Sequence, residues 1–438
     1  MKIRRTASWV LAGAIAAIVS GSASPASAQF GFTGEPPAIP TLSQSGGATM
    51  LLPYFEVDLA HTTGRTTRFW INNGSATAIL SHVTVWSDLA VPVLAFNVYL
   101  TGYDQQLIDM RDIVNGTLPQ TASAGQDPSD TISPKGPKSQ DINFASCSGT
   151  LGSGAISQLP NFYVDYIQKA LTGQFTSFVN GCLGRSSPGL ARGYVTVDTV
   201  NNCTLRFPNA PGYFAPGGSG DATNQNVMWG EYVYINSGTS GQGGHGIPMV
   251  QIEASGVDPL TSTSGNYTFY GRLVNFTAAD NREPLATNFA ARFLRGATAV
   301  TVWRDPKMPQ DKFACGTTPP WYPLGRERLA FFNEQEQIVI SGGSLNSPAP
   351  SAGNFAAATQ KVKIGAGGLP TPFVSGWIYL DLNTVVTTAG TVPTDTAATQ
   401  AFVTAIREIR AGAFSNLGAE GGAAFRLDSA ANANHSTP

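Results

Sequence analysis

The chain reads as an all-β protein of two related antiparallel β-sandwich modules, and three observations lead there. Charged residues make up only 12% of the 438 positions, about half the usual share, while Gly and Pro are plentiful, a balance that suits many strands joined by turns. Short segments of alternating apolar and polar residues recur along the chain between turn residues, the pattern of two antiparallel sheets packed face to face. The third observation is an internal match. Val83-Thr84-Val85-Trp86-Ser87-Asp88 and its continuation to Pro92 return as Val300-Thr301-Val302-Trp303-Arg304-Asp305 and its continuation to Pro309, which suggests one structural unit used twice.

The first stretch is set apart from the fold. A basic start (Lys2, Arg4, Arg5), an apolar run from Trp9 to Ser20 and the small-residue end Ala26-Ser27-Ala28 form the three parts of a secretory signal. Residues 1–28 are therefore expected to be removed, and 29–48, rich in Gly, Pro and Ser, to be an extended lead-in. No later stretch has the apolar length of a membrane-spanning helix. An exported protein, periplasmic, at the cell surface or extracellular, is the expectation. Removing the three leader cations leaves 23 basic residues against 28 acidic ones, a net charge of −5 without long like-charge runs. Such a surface gives no reason to expect nucleic acid as a partner.

Elements follow in order. Leu51 to Val57 is a strand, placed by Pro53 at a sheet edge or strand start. Thr66 to Ile71, Ala78 to Trp86 and Val93 to Leu100 read as three successive strands of one meander, the first turn marked by Asn73-Gly74. In the third, Leu94, Phe96, Val98 and Leu100 share a face. Residues 141–190 form a helical insertion, with an apolar stripe of Phe162, Tyr163, Tyr166, Ile167 and Ala170 behind Pro160. Strands resume at Gly193 to Val200, with Cys203 to Phe207 returning, and at Val227 to Ile235 and Ile247 to Ile252 on either side of a glycine-rich tip. Beyond the second motif copy come a hairpin over 328–340 turning at Asn333 to Glu336, and strands at 361–364 and 375–382. In the last of these Ile378, Leu380 and Leu382 face one way and Trp377, Tyr379 and Asp381 the other. The spacing of Phe402, Val403, Ile406 and Ile409 predicts a helix over 399–410. The modules are divided near residue 205, as 49–205 and 206–438. The arrangement resembles immunoglobulin-like or jelly-roll folds in general, an analogy of architecture that carries no function.

Four cysteines, Cys147, Cys182, Cys203 and Cys315, lie outside the expected leader, an even number in an exported chain, so two disulfides are expected. The expected pairing is Cys147 with Cys182, bracketing the insertion, and Cys203 with Cys315, tying the halves together.

Candidate chemistry is sparse. Within each motif copy Thr, Trp and Asp share parity, so an open face would offer Trp86 beside Asp88 and Trp303 beside Asp305, an aromatic plane with a carboxylate of the kind that holds sugar rings. If the face is covered, the tryptophans are packing residues and the aspartates bond the amides of the following turn. Tyr103 and Trp321, each beside Gly or Pro in a loop, are further binding candidates. No catalytic constellation of Ser, His and Asp, no nucleophile elbow and no zinc or EF-hand spacing is present. No cofactor is expected, although loop carboxylates such as Asp127, Asp130 and Asp221 are of the type that hold a structural calcium. The expected function is non-enzymatic, binding of a polysaccharide or another surface component, or a structural role. The alternatives are a hydrolase or lyase acting on a polymer through carboxylates from separate strands, and a self-associating surface-layer or filament subunit.

Overall fold

The computed structural model describes residues 46–119, 158–236, 246–255, 268–275, 277–306, 311–317, 319, 322, 324, 328–341, 355, 357–382, 400–407, 420–423 and 425–426. The chain begins with β1 (Thr49–Asp58), β2 (Arg65–Asn73), β3 (Ile79–Ser87), β4 (Pro92–Leu100) and β5 (Gln105–Asp109), then helices α1 (Met110–Val114) and α2 (Asn161–Leu171). It continues through β6 (Leu190–Val200), β7 (Met228–Asn236), β8 (Ile247–Pro248) and β9 (Val250–Ile252). The remaining strands are β10 (Asn288–Leu294), β11 (Thr298–Arg304), β12 (Arg328–Phe332), β13 (Ile338–Ser341), β14 (Thr359–Lys363), β15 (Ser375–Asp381), β16 (Ala401–Arg407), β17 (Glu420–Ala423) and β18 (Phe425–Arg426).

These strands form four antiparallel sheets, so the fold is all-β. Two draw on the chain up to Ile252, in the orders β4-β3-β6-β1-β9 and β5-β2-β7-β8. Two draw on the chain from Asn288, in the orders β13-β12-β15-β10-β18 and β14-β11-β16-β17. The position near residue 205 lies between β6 and β7, both of which serve the first two sheets.

Parity explains the layering. In the β4-β3-β6-β1-β9 sheet, Met50, Leu52, Val83, Val85, Val195 and Val197 enter one core with Phe69 and Ile71 of β2 and Tyr232 of β7. The alternate residues Leu51, Trp86 and Tyr194 enter a second core with Phe289, Val300 and Trp303 from the later strands. This sheet is therefore covered on both faces, and β3 is buried at every position. The close packing leaves no room for a side chain at Gly193 of β6, where a Cβ would lie 1.9 Å from the carbonyl oxygen of Trp86.

Several sequence expectations give way here. Asn73-Gly74 does not close a hairpin, because β2 pairs with β5 and β7 while β3 pairs with β4 and β6. The Asn73 side chain donates to Thr77 O (2.7 Å) and Thr101 O (3.0 Å), making a corner at which the chain changes sheet. Residues 203–207 form no strand. The helix expected over 399–410 is strand β16 through its described part, paired with β11 along its length. Ala401, Phe402, Val403, Thr404 and Ile406 are all buried, so a residue spacing that looked helical carries no face information. The helix expected after Pro160 is present, with that proline at its N-cap and Tyr166, Ile167, Ala170 and Leu171 buried.

The cysteine pairing also differs. Cys182 is bonded to Cys315, 133 residues away, and Cys203 is disulfide-bonded as well; Cys147 lies outside the described residues. Mutual backbone hydrogen bonds between Cys182 and Phe313 (2.9 and 3.0 Å) bring the two chain segments edge to edge, so the insertion is tied to the segment after β11. Non-reducing peptide mapping is expected to recover the Cys182–Cys315 pair. Replacing both by serine is expected to lower stability by about 4 to 5 kcal/mol, read from denaturant midpoints, because the bond closes so long a loop. Recovery of a Cys147–Cys182 peptide would contradict this connectivity.

Candidate functional site

The two motif copies occupy matching places, β3 between β4 and β6, and β11 between β14 and β16. Their tryptophans are enclosed, at 1% exposure for Trp86 and 2% for Trp303. Both meet Tyr194 of β6. Trp86 stacks on that ring at 5.5 Å with planes 2° apart, and Trp303 meets it edge-on at 6.0 Å. Trp86 donates its indole N–H to Thr196 Oγ1 at 2.9 Å, and Trp303 stacks on Phe269 at 5.4 Å. The faces nominated for sugar stacking are thus occupied by protein rings.

The aspartates of the motifs are buried and pin neighbouring segments. Asp88 accepts from the backbone N–H and the Nε of Arg185, both at 2.9 Å. Arg192 Nε also lies 2.9 Å from Asp88 Oδ2, although its N–H does not point along the contact. The amides of the following turn are not bonded by Asp88 as the covered-face reading expected; the Ser87 hydroxyl accepts from Leu89 N and Val91 N instead. Asp305 Oδ2 accepts from Gln400 Nε2 at 3.1 Å, and Asp305 N donates to Gln400 O at 3.0 Å.

Beside the tryptophans lies a buried polar cluster that no motif signalled. Asp198 of β6 accepts from the hydroxyl of Thr49 on β1, from Tyr213 at 2.8 Å and from Tyr270 at 3.0 Å. Arg282 donates its Nε to Thr49 Oγ1 (3.1 Å) and an Nη2 hydrogen to Thr223 O (2.7 Å), with its guanidinium 5.0 Å from the centre of the Phe214 ring. Burial, reinforced by the Asp198 charge, raises the phenols of Tyr213 and Tyr270 well above their ordinary values, so both stay protonated donors. Asp280 caps the cluster by accepting from Tyr270 N (2.8 Å) and Arg282 N (3.1 Å). His82, the cross-strand neighbour of Asp198, contacts Asn97 Oδ1 through Nδ1 at 3.2 Å. Burial holds its imidazole below the ordinary value, against the opposing pull of Asp198.

The exposed candidates lie elsewhere. Tyr103 is 60% exposed in the corner between β4 and β5 and does not join the tryptophans. Trp321, Asp127 and Asp130 lie outside the described residues. Asp221 accepts from Thr204 Oγ1 at 2.8 Å and is 3.6 Å from Arg206 Nη1; among the described residues no group of three or more His, Cys, Asp or Glu side chains is placed to hold a metal ion. Phe162, Phe175 and Phe178 are exposed around α2, with Phe178 packed on Tyr166 at 4.7 Å.

One exposed aromatic lines an open groove. Trp377 of β15 is 39% exposed and stacks on its cross-strand neighbour Phe332 at 4.1 Å with planes 7° apart. Ala290, Ala291, Arg292 and Phe293 of β10, with Glu334, Ser375 and Gly376, complete the described walls of a groove of about 570 Å³. Gly376 has φ 151°, and a Cβ there would lie 1.8 Å from Phe332 O, so a glycine is required for β12 to come this close to the platform. The sequence signal for Trp377 was its place on the polar side of an alternating strand, opposite Ile378 and Leu380.

Comparison with protein families, with curated proteins and with solved structures finds no match to this chain.

The His82 environment sets a pH dependence. Burial disfavours the charged form of His82 in the folded state, so unfolding takes up protons as the pH falls through the free imidazole value of about 6.5, and acid favours the unfolded chain. This group's contribution is expected to be flat above about pH 7.5 and to fall by up to about 1.4 kcal/mol per pH unit below about pH 6.5. Urea midpoints for wild type and His82→Gln at pH 7.5 and 5.5 check it. The wild type should lose more stability on acidification, and equal losses would contradict the assignment.

Proposed function

We propose that the protein is exported and binds a polysaccharide through the groove around Trp377. The single observation that carries the reading is the Trp377–Phe332 stack, an aromatic plane held from one side by a second ring and left partly open on a groove of mixed apolar and polar lining. A plane fixed in advance loses little freedom when a sugar ring stacks on it, and Arg292 and Glu334 are placed to hydrogen-bond hydroxyls at its rim. Glu334 is the single carboxylate among the described groove residues. Hydrolysis of a glycosidic bond ordinarily uses two, which favours binding over turnover. Export is supported by the leader-like first segment together with the Cys182–Cys315 bond, which fits an oxidising compartment.

A glycan array followed by calorimetry on the best binder tests this reading. Trp377→Ala is expected to weaken binding by at least about tenfold, the scale of a lost aromatic contact in a binding site, without shifting the thermal midpoint by more than a few degrees. Absence of any glycan ligand, or affinity unchanged by Trp377→Ala, would show the reading to be wrong.

A further inference from the structure

A second cleft, between the first and second pairs of sheets, has a different chemistry. Its described walls are Tyr54 and Glu56 of β1, Arg65 of β2, Leu190 and Arg192 of β6, Ala297 to Ala299 at the start of β11, and Lys361 and Lys363 of β14, around a volume of about 310 Å³. Glu56 is buried. Its Oε1 accepts from Arg65 Nη1 at 3.3 Å and Lys361 Nζ at 3.2 Å, and its Oε2 from the Tyr54 hydroxyl at 3.1 Å. Arg192 belongs to Asp88, as described above. Arg65, Lys361 and Lys363 then stand against the one carboxylate of Glu56, an excess of two positive charges in one small space. The whole chain holds only 26 Lys and Arg residues, so this concentration is not the background of a basic surface. Arg65 has five N–H donors and Lys361 three, of which the Glu56 contacts use one each. The Lys363 side chain is exposed and has no ion-pair partner among the described residues.

Cations gathered around one buried acid repel each other unless a further anion enters, and a partly enclosed site strengthens that attraction relative to open water. We infer that this cleft is a binding site for a small anion bearing a carboxylate or sulfate group, held by Arg65, Lys361 and Lys363. The volume is at the lower end of small-molecule sites, which suits a single acidic sugar unit or a free oxyanion. The site shares no residue with the Trp377 groove and does not depend on it.

Isothermal titration of the oxidised full-length protein at constant ionic strength tests the inference, with sodium sulfate and D-glucuronate as probes and D-glucose as the neutral control. Saturable binding of at least one anion and none of glucose is expected. Lys363→Ala and Arg65→Ala should each weaken it about tenfold, the effect of losing one charge-assisted hydrogen bond, and Trp377→Ala should leave it unchanged. Lys363→Ala removes an exposed side chain with no ion-pair partner among the described residues, so folding is not at issue for that variant. Tighter binding of glucuronate than of sulfate would assign the site to a carboxylate-bearing sugar, and the reverse order to an inorganic oxyanion. No saturable binding of either anion, or affinities untouched by both substitutions, would overturn the inference.

Discussion

A carboxylate at 0% exposure organises this protein. Asp198 sits inside the central sheet, where leaving a charge without partners would cost several kcal/mol. Its partners come from separate parts of the chain: Thr49 from the adjacent strand, Tyr213 and Tyr270 from connecting segments. Arg282 joins through Thr49, whose hydroxyl accepts from the guanidinium and donates to the carboxylate. Satisfying one buried acid thus fixes the segments that lead from the early strands towards β10. With those segments seated, the outer face of the central sheet is closed and the second core can form over it.

The repeated motif takes its meaning from that closure. A strand buried on both faces favours residues that pack on either side, and Val-Thr-Val-Trp supplies them, although Thr84 Oγ1 and Trp303 Nε1 find no hydrogen-bond partner among the described residues. In β3 the valines fill one core while Trp86 enters the other. Tyr194 lies between Trp86 and Trp303, so the two copies meet through a single ring. Aromatic pairs in these geometries contribute about 0.5 to 1.5 kcal/mol each beyond the area they bury. The likeness of the copies therefore reflects a shared burial requirement. The two surfaces proposed for recognition differ in composition, an exposed tryptophan on β15 and a cationic cleft beside β1 and β14.

Alternation along the chain made the strands legible, including β3, β4, β6, β7 and β15, and the proline-led helix α2. Pairing was not legible, because hydrogen bonds between strands leave no mark on side-chain order. Asn73-Gly74 carries the residues of a hairpin, yet the Asn73 side chain is used to bond two carbonyls at a corner between sheets. Cysteine spacing likewise said nothing about which segments run edge to edge at Cys182 and Phe313. At the candidate sites, parity put Trp377 on the face opposite Ile378 and Leu380 but did not mark it as a binding residue. The cleft around Glu56 could not be found that way, since Arg65, Arg192 and Lys361 converge from three separate strands.

The dependence of both halves on Asp198 is most directly tested by native-state hydrogen exchange on Asp198→Ala compared with wild type. If the polar cluster welds the later strands to the central sheet, amides of β6 and of β11 should lose protection together, by a similar free energy. Loss confined to β6, with β11 amides from Thr298 to Arg304 protected as in wild type, would contradict the account.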